Sequence, residues 1–404
     1  MAASTRTEPA AARVLGPRIL LLLSVLALSL IGFVMIYSAS SVTAITGAET
    51  LDQAQPMAGV LDQLKYAVVG VGCVVALWLI PYGMWRTRLV WLVWGAAIVL
   101  LLLTAAMGST AYGAQRWLYL GPVSIQPSEF AKIALILMMA RLLDRLRNRE
   151  IGWRDFIIGV VVFVGLPVVL IYTTQSDLGT TAICFIGIIA VLWLGEIERR
   201  YVLLILGIGL VVGILAIALV GYRADRFVYL NPWDDGQGGK GDGFQMLHSY
   251  FAFAQGGLFG VGLGNSREKF SYLPMADNDF VFAIVGEELG MVGALAVIAL
   301  FLLLLYAALR IARQAPDNFG CMMAGGCAIM LVFQAFLNIG CVIGVFPTTG
   351  KPLPFISSGG SSLVATFIMV GLILSVSKPS GARTVYDRRR DNLRVVRAAG
   401  QGRR

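Results

Sequence analysis

The sequence predicts an all-α, polytopic membrane protein with ten transmembrane helices and a large extracytoplasmic loop between the seventh and the eighth. Three observations carry this prediction. The 404 residues are 58% hydrophobic and only 14% charged, with a mean hydropathy of +0.79. Apolar runs of about 20 residues, the length that crosses a hydrocarbon core, recur along the whole chain. Arg residues collect in short loops and at both termini, the pattern that orients membrane proteins. The net charge of +9, placed this way, fits a membrane and not a nucleic acid.

Residues 1–16 are polar and Ala-rich and are predicted to form a disordered cytoplasmic tail. The first span, 17–37, has an Arg-bearing start and no small-residue cleavage site, so it reads as a retained helix rather than a signal peptide. A polar loop, 39–62, leads to the second span at 63–81. Arg86 and Arg88 mark the turn before the third, at 89–107. A loop of glycines and aromatics fills 108–126. The fourth span runs from Pro127 to Leu143, and a loop with Arg145, Arg147, Arg149 and Arg154 follows. The fifth and sixth cover 156–173 and 178–195, and a Glu-Ile-Glu-Arg-Arg turn leads to the seventh at 202–221. The one long hydrophilic interval is 222–279. Within it lie a Gly-rich tip near 236–243 and a semi-apolar stretch, Phe244–Phe259, predicted to be a helix on the membrane or re-entering it. The eighth and ninth spans cover 280–309 and 319–346. A Pro/Gly/Ser loop, 347–362, precedes the tenth, which ends near Val376. The membrane domain is therefore 17–377, and 378–404 is a basic, disordered cytoplasmic tail.

Most of the 32 Lys and Arg residues fall on the side that holds both termini, which places both termini in the cytoplasm. The segments 108–126, 174–178, 222–279 and 347–356 then share the outer face, and they hold nearly all the unusual polar residues. The five cysteines sit in apolar runs without metal-ligand spacing and read as small core residues. The single histidine, His248, excludes a multi-histidine metal site and reads as structural. Glycines inside the spans let helices approach closely.

Asp277-Asn278-Asp279 closes the long polar interval, just where the apolar run from Phe280 begins. Three readings fit it: a helix cap, a D-x-D site for a diphosphate-bound cation, or a general base. An acid at the water–hydrocarbon boundary favours the functional readings, because such groups are costly and are kept for a use. Glu287 and Glu288 fall within the eighth span and need partners; Lys132, inside the fourth span, is the expected one. Arg116 beside Trp117 suits an anionic, sugar-bearing ligand. Gln175 and Asp177 break the chain between two spans, as a plain turn or as a polar site. The run Gly256–Gly264 lacks the strand-then-helix setting of a dinucleotide fingerprint and reads as a tight bend at the membrane surface. The loop 347–362 cannot be a simple helix. Irregular backbone at membrane depth is tolerated only against protein or a hydrated cavity, so this loop is expected to line a polar cleft where Lys351 meets a pyrophosphate.

Four signatures carry a resemblance to a known family. They are Gly113-Ala-Gln-Arg-Trp117 with Gln126-Pro-Ser-Glu129; Gln175-Ser-Asp-Leu-Gly179; Gly260-Val-Gly-Leu-Gly-Asn265 followed by Tyr272-Leu-Pro274 and Asp279-Phe280; and Pro347-Thr-Thr-Gly350 with Leu353-Pro-Phe-Ile-Ser-Ser-Gly-Gly-Ser-Ser362. Together they resemble the SEDS family of cell-wall polymerases, from Gly32 to about Lys378, and the 231–235 run with its Gly-rich insert looks more like FtsW than RodA. The sequence departs from the family at Met275, where the family has Glu, at Asp277, where it has His, and at Ser176, where it has Pro. The resemblance implies polymerisation of lipid II into glycan strands on the outer face of the cytoplasmic membrane, in cell division and at the septum. It puts the catalytic acid on Asp279, the residue its placement had already singled out. The candidate substrate-binding residues are Arg116, Lys132, Gln175, Asp177, Lys351, Ser357, Ser358 and Ser361. Arg116, Lys351, Arg223 or a divalent cation (Mg or Mn) would neutralise the departing diphosphate; no residues are assigned as metal ligands. The partners implied are lipid II, the undecaprenyl-diphosphate glycan, a class B penicillin-binding transpeptidase and other division proteins. A lipid II flippase, a RodA-type elongation polymerase and a non-catalytic scaffold are the alternatives. A transporter of this kind should carry an inverted repeat, and the sequence shows none.

Overall fold

The computed structural model describes residues 10–46, 56–111, 114–121, 123–218, 231–241, 243–270 and 272–378. Its helices, in order, are α1 (Ala10–Thr46), α2 (Ala58–Leu79), α3 (Tyr82–Met107), α4 (Pro127–Arg147), α5 (Trp153–Gln175), α6 (Leu178–Leu194), α7 (Arg199–Ala218), α8 (Phe244–Gly256), α9 (Val281–Arg313), α10 (Asn318–Val342) and α11 (Gly360–Val376). A helix occupies each of the ten expected span positions, and α8 lies in the interval between the seventh and eighth. By length and composition, α1, α2, α3, α5, α9 and α10 can each cross a membrane, while α6 and α11 are apolar but shorter. The protein is a multi-pass membrane protein. Its outward faces agree: Leu and Val side chains on α1, α2, α3 and α7 stand exposed in rows, far more apolar surface than water tolerates in one patch.

Two expectations need correction. The first helix begins at Ala10, inside the stretch expected to be disordered, because Ala-Ala-Ala-Arg-Val-Leu is strong helix-forming sequence; it also runs on to Thr46. The segment 108–126 is not a plain loop. It folds as a three-stranded antiparallel sheet of β1 (Ser109–Ala111), β2 (Ala114–Leu120) and β3 (Val123–Ile125), so the chain is not purely helical. The Arg-Trp-Leu-Tyr-Leu run of β2 has the aromatic and large apolar residues that strands favour. Gly121, with φ +64°, makes the turn into β3. Leu118 pairs with Ile125 across that hairpin. The basic tail from 379 lies outside the described residues.

α10 is the central post, buried along nearly its whole length and packed against α4, α6, α9 and α11. α4 is almost as buried. α7, by contrast, leans on α6 and turns Leu203, Leu204, Ile208 and Val211 outward.

α9 contains a break. Gly290 has φ +69° and ψ −170°, so Val281–Leu289 is a separate short helix before the main rod. The Gly-rich run docks on that break. Val261 N donates to Glu287 O (2.9 Å), Gly262 N to Glu288 O (3.1 Å), Met291 N to Gly257 O (2.9 Å) and Val292 N to Leu258 O (3.1 Å). The run thus partners the backbone groups that the break sets free, a more specific role than a bend. A Cβ on Gly260 would lie 2.1 Å from Glu288 O, which leaves no room for any side chain.

The expected pairing of Lys132 with Glu287 or Glu288 does not occur. Glu288 Oε1 accepts from Ser38 Oγ (2.5 Å) and Lys269 Nζ (2.9 Å). Glu287 accepts from Ser266 Oγ (2.5 Å) and the Arg267 N–H (2.7 Å). Lys132 instead meets Glu129, one turn away on its own helix, at 2.9 Å. The local partner needs no long-range coincidence.

Gly260→Ala is expected to cost roughly 1–3 kcal/mol through forced overpacking and the unfavourable positive φ. Gly72→Ala, whose Cβ would meet nothing within 4 Å, is expected to leave the thermal midpoint of the purified protein unchanged or slightly raised. Equal midpoints for the two variants would contradict the docked ladder.

Candidate active site

Three irregular segments meet at one place: Asp277–Asp279 ahead of α9, residues 347–359 ahead of α11, and Gln175–Asp177 between α5 and α6. The meeting is held by backbone groups. Ser358 N donates to Asp277 O at 2.9 Å. Ser357 Oγ donates to Asn278 O (2.6 Å) and accepts from Leu353 N (2.7 Å). Asn338 Nδ2, from α10, donates to both Asp279 O (2.8 Å) and Lys351 O (2.7 Å). Gln63 Nε2 from α2 donates to Ser357 O at 3.3 Å.

Gly350, at φ +63°, brings its backbone close to the Asp279 carboxyl; a Cβ there would lie 3.3 Å from Oδ2. The other carboxyl oxygen, Oδ1, is buried with no hydrogen-bond partner among the described residues.

Across from it stands an ion pair. Lys351 Nζ bonds Asp177 Oδ2, and both side chains are about 2% exposed. Asp177 also caps α6, accepting from Thr180 N (2.9 Å) and Thr180 Oγ1 (2.8 Å). Arg116, on β2, donates to Gln175 O (2.9 Å) and Ser176 O (3.2 Å) and so holds the break open from outside. Both amide atoms of the fully buried Gln175 lack partners among the described residues.

The electrostatics separate the two acids. Burial alone would raise Asp177, but the Lys351 charge and hydrogen bond, the Thr180 N–H and Arg116 outweigh it, so its carboxyl sits below the usual range. Asp279 is pushed up to about 6, chiefly by burial; Lys351 and Arg116 pull it down, and Asp277 and Asp177 push it up. Burial also raises Asp277. Of two neighbouring carboxylates, one is locked in its ionised form and the other is poised to exchange a proton.

The sequence-predicted residues divide by placement. Asp279, Lys351, Asp177, Gln175 and Arg116 come together. Ser357 and Ser361 are brought near, but their hydroxyls are used in building the loops: Ser361 Oγ accepts from Gln126 N (3.1 Å) and donates to Ser124 O (3.2 Å). Ser358 contributes its backbone. Lys132 lies apart, fully buried, donating to Glu129 Oε2 (2.9 Å) and Gln334 Oε1 (2.5 Å). Arg223 lies outside the described residues. The sequence reading missed Gln334 and Asn338; its available signal was two amides one turn apart in an otherwise apolar span. It also missed Gln63.

Among the described residues no group of three or more His, Cys, Asp or Glu side chains gathers as metal ligands. A divalent cation near Asp279 would therefore take most of its shell from substrate phosphates and water.

Comparison with known proteins now places the chain. The family model described as "Cell cycle protein", covering FtsW, RodA and SpoVE, matches residues 18–381. The chain belongs to this family, the SEDS proteins. It is 38% identical over 364 residues to the "Probable peptidoglycan glycosyltransferase FtsW" of Geobacter metallireducens, covering 89% of this chain and 94% of that one. It is 38% identical over 372 residues to the stage V sporulation protein E of Bacillus subtilis, covering 90% and 98%. Among solved structures, it is similar to a chain from a peptidoglycan synthase complex that coordinates polymerization and crosslinking (TM-score 0.69, 27% identity, 89% and 96% covered). It is also similar to the rod shape determining protein RodA of Thermus thermophilus (TM-score 0.63, 27% identity, 89% and 95% covered). The match to FtsW proteins bears out the FtsW-like reading.

Lys351→Met leaves Asp177 ionised and unpaired in the interior, so a loss of roughly 3–5 kcal/mol is expected. Adding Asp177→Asn removes the stranded charge and is expected to restore most of that loss. Thermal unfolding of the single and double variants checks this; equal stability of both would contradict the buried pair.

Proposed function

We propose that this chain is a peptidoglycan glycosyltransferase that polymerises lipid II on the outer face of the cytoplasmic membrane, with Asp279 as general base. The family membership and the names of its relatives support the reaction class. The observation that carries the residue assignment is Asp279 itself: a loop carboxyl beside Gly350, raised to about 6, with one buried oxygen unpartnered among the described residues. A base with that proton affinity is matched to deprotonating a hydroxyl near neutral pH.

In this mechanism Asp279 takes the proton from the 4-hydroxyl of the acceptor N-acetylglucosamine as that oxygen attacks the anomeric carbon of the donor N-acetylmuramic acid. The bond to undecaprenyl diphosphate breaks, the diphosphate leaves with the electron pair, and the configuration inverts from α to β. Lys351 and Arg116 supply positive field to the leaving group. Lys351 is bonded to Asp177 and Arg116 to two carbonyls, so they act as fixed charges rather than as mobile ligands. A divalent cation held near Asp279 would add charge neutralisation at the same place.

Both termini on the cytoplasmic side and the candidate site on the outer face follow from the distribution of Arg and Lys. The relatives named FtsW, at up to 38% identity over most of the chain, support a division role at the septum. A crosslinking transpeptidase of the class B penicillin-binding type is the partner that the similar synthase complex supports.

Asp279→Asn is expected to lower polymerisation of purified lipid II by about 10²–10⁴-fold while the protein remains folded. Wild-type-like glycan synthesis by that variant would falsify the base assignment. The sign of the pH dependence follows from the raised value: the base works ionised, so the wild-type rate is expected to fall as pH drops through about 6. A flat profile from pH 5 to 7.5 would contradict it.

A further inference from the structure

We infer that Gln334 and Asn338, one turn apart on α10, are positioning residues that clamp the Asp279 and Lys351 segments, and that Lys132 acts through them instead of touching substrate. The inference rests on the reading of Asp279 as the base.

The i, i+4 spacing puts both amides on one helix face, and they are 1% and 2% exposed. Each has its orientation dictated by its neighbours. Gln334 Oε1 accepts from Lys132 Nζ at 2.5 Å, because only an acceptor can face an ammonium. Its Nε2 must then point the other way, and it donates to Pro352 O at 3.0 Å. Asn338 faces two carbonyls and gives both N–H groups, to Lys351 O at 2.7 Å and to Asp279 O at 2.8 Å.

The consecutive residues Lys351 and Pro352 are thus gripped by two amides, and one of those amides also holds Asp279. Glu129 fixes Lys132 at 2.9 Å, Lys132 fixes Gln334, and α10 carries the order into the site. Lys132 is 0% exposed with its ammonium engaged twice, so nothing of it faces a lipid-borne substrate. Holding a reacting group to within a fraction of an ångström is worth up to about 10²-fold in rate, and that is the effect these amides exert.

The charged groups facing Asp279 are Lys351, Arg116, Asp277 and Asp177. Lys351 is the cation that pulls Asp279 down most, so loosening its segment should move the acid limb of the clamp variants upward.

The test uses full-length purified Gln334→Met, Asn338→Leu, Lys132→Met and the double variant Lys132→Met/Gln334→Met, assayed on lipid II. The two amide variants are expected to lose about 10–100-fold in kcat, with KM within about twofold and the acid limb of the pH profile moved upward. Loss of active protein alone would leave that limb in place. The double variant is expected to match the worse of its two single variants, because both break one chain of contacts. Unchanged kcat in the amide variants overturns the clamp. A raised KM for Lys132→Met, with losses that multiply in the double variant, overturns the role given to Lys132. Should Asn338→Leu fail to fold, Asn338→Asp keeps size and polarity while removing both donors, and wild-type kcat in it counts equally against the clamp. Activity in Asp279→Asn would sink the base alone; an inactive Asp279→Asn beside active clamp variants would sink this inference alone.

Discussion

Backbone that leaves a helix inside an apolar protein must find new partners for its N–H and C=O groups, because no water is there to take them. The architecture around Asp279 answers that constraint. The segment 347–359 is tied down by Ser357, Gln334 and Asn338. The break at Gly290 is closed by the ladder from residues 257–262. The turn at Gln175–Ser176 is closed by Arg116. Two of these repairs use polar side chains that are costly to bury, and the third uses glycine-rich backbone that admits no added side chain at Gly260. Irregular backbone and buried amides are two sides of one requirement.

The same accounting governs charge. Glu129 meets Lys132, Asp177 meets Lys351, and Glu288 meets Lys269, each acid within hydrogen-bond reach of its cation. Breaking any such pair strands an ion in low dielectric. Asp279 differs: it feels Lys351 without bonding it, and one of its oxygens has no protein partner among the described residues. Asp235 shows the opposite environment in the same chain. Its exposed carboxylate accepts four backbone N–H groups, from Gln237, Gly239, Gly241 and Gly243, and is held down to about 2. Hydrogen bonds to the charged form lower one aspartate and burial raises the other. Residue type therefore does not set the proton affinity of Asp279; its burial does.

Much of this was legible in the sequence, and what was not has physical causes. Apolar run length located the helices, six of them long and apolar enough to cross a membrane, because hydrocarbon thickness sets a length that composition must follow. Asp279 stood out at the boundary between polar loop and apolar span. The sheet at 109–125 escaped because glycines and short strands weaken a period-2 pattern. The partners of Glu287 and Glu288 escaped because they lie far off in sequence, at Ser38, and within a loop, at Ser266 and Lys269. Gln334 and Asn338 escaped for a different reason. A lone amide in an apolar span reads as helix-packing glue, and only the positions of three carbonyls, those of Asp279, Lys351 and Pro352, show that the pair faces one site.

The turn at Ser176 shows how far a single departure from the family pattern reaches. Its φ of +46° is closed to proline, whose ring fixes φ near −65°. The serine and this left-handed turn therefore go together, and a proline here would demand another path from α5 to α6. Two carbonyl contacts from Arg116 hold the turn, and the turn presents Asp177 to Lys351. Arg116 thus acts on Asp177 through backbone geometry as well as through its charge. Met275, also left-handed at φ +54°, shapes the other side by accepting from Asn278 N and Phe280 N. Strain of this kind persists only where surrounding contacts over-determine it. Here those contacts are the ones that hold Asp279 beside Gly350 while leaving one of its oxygens without a partner among the described residues.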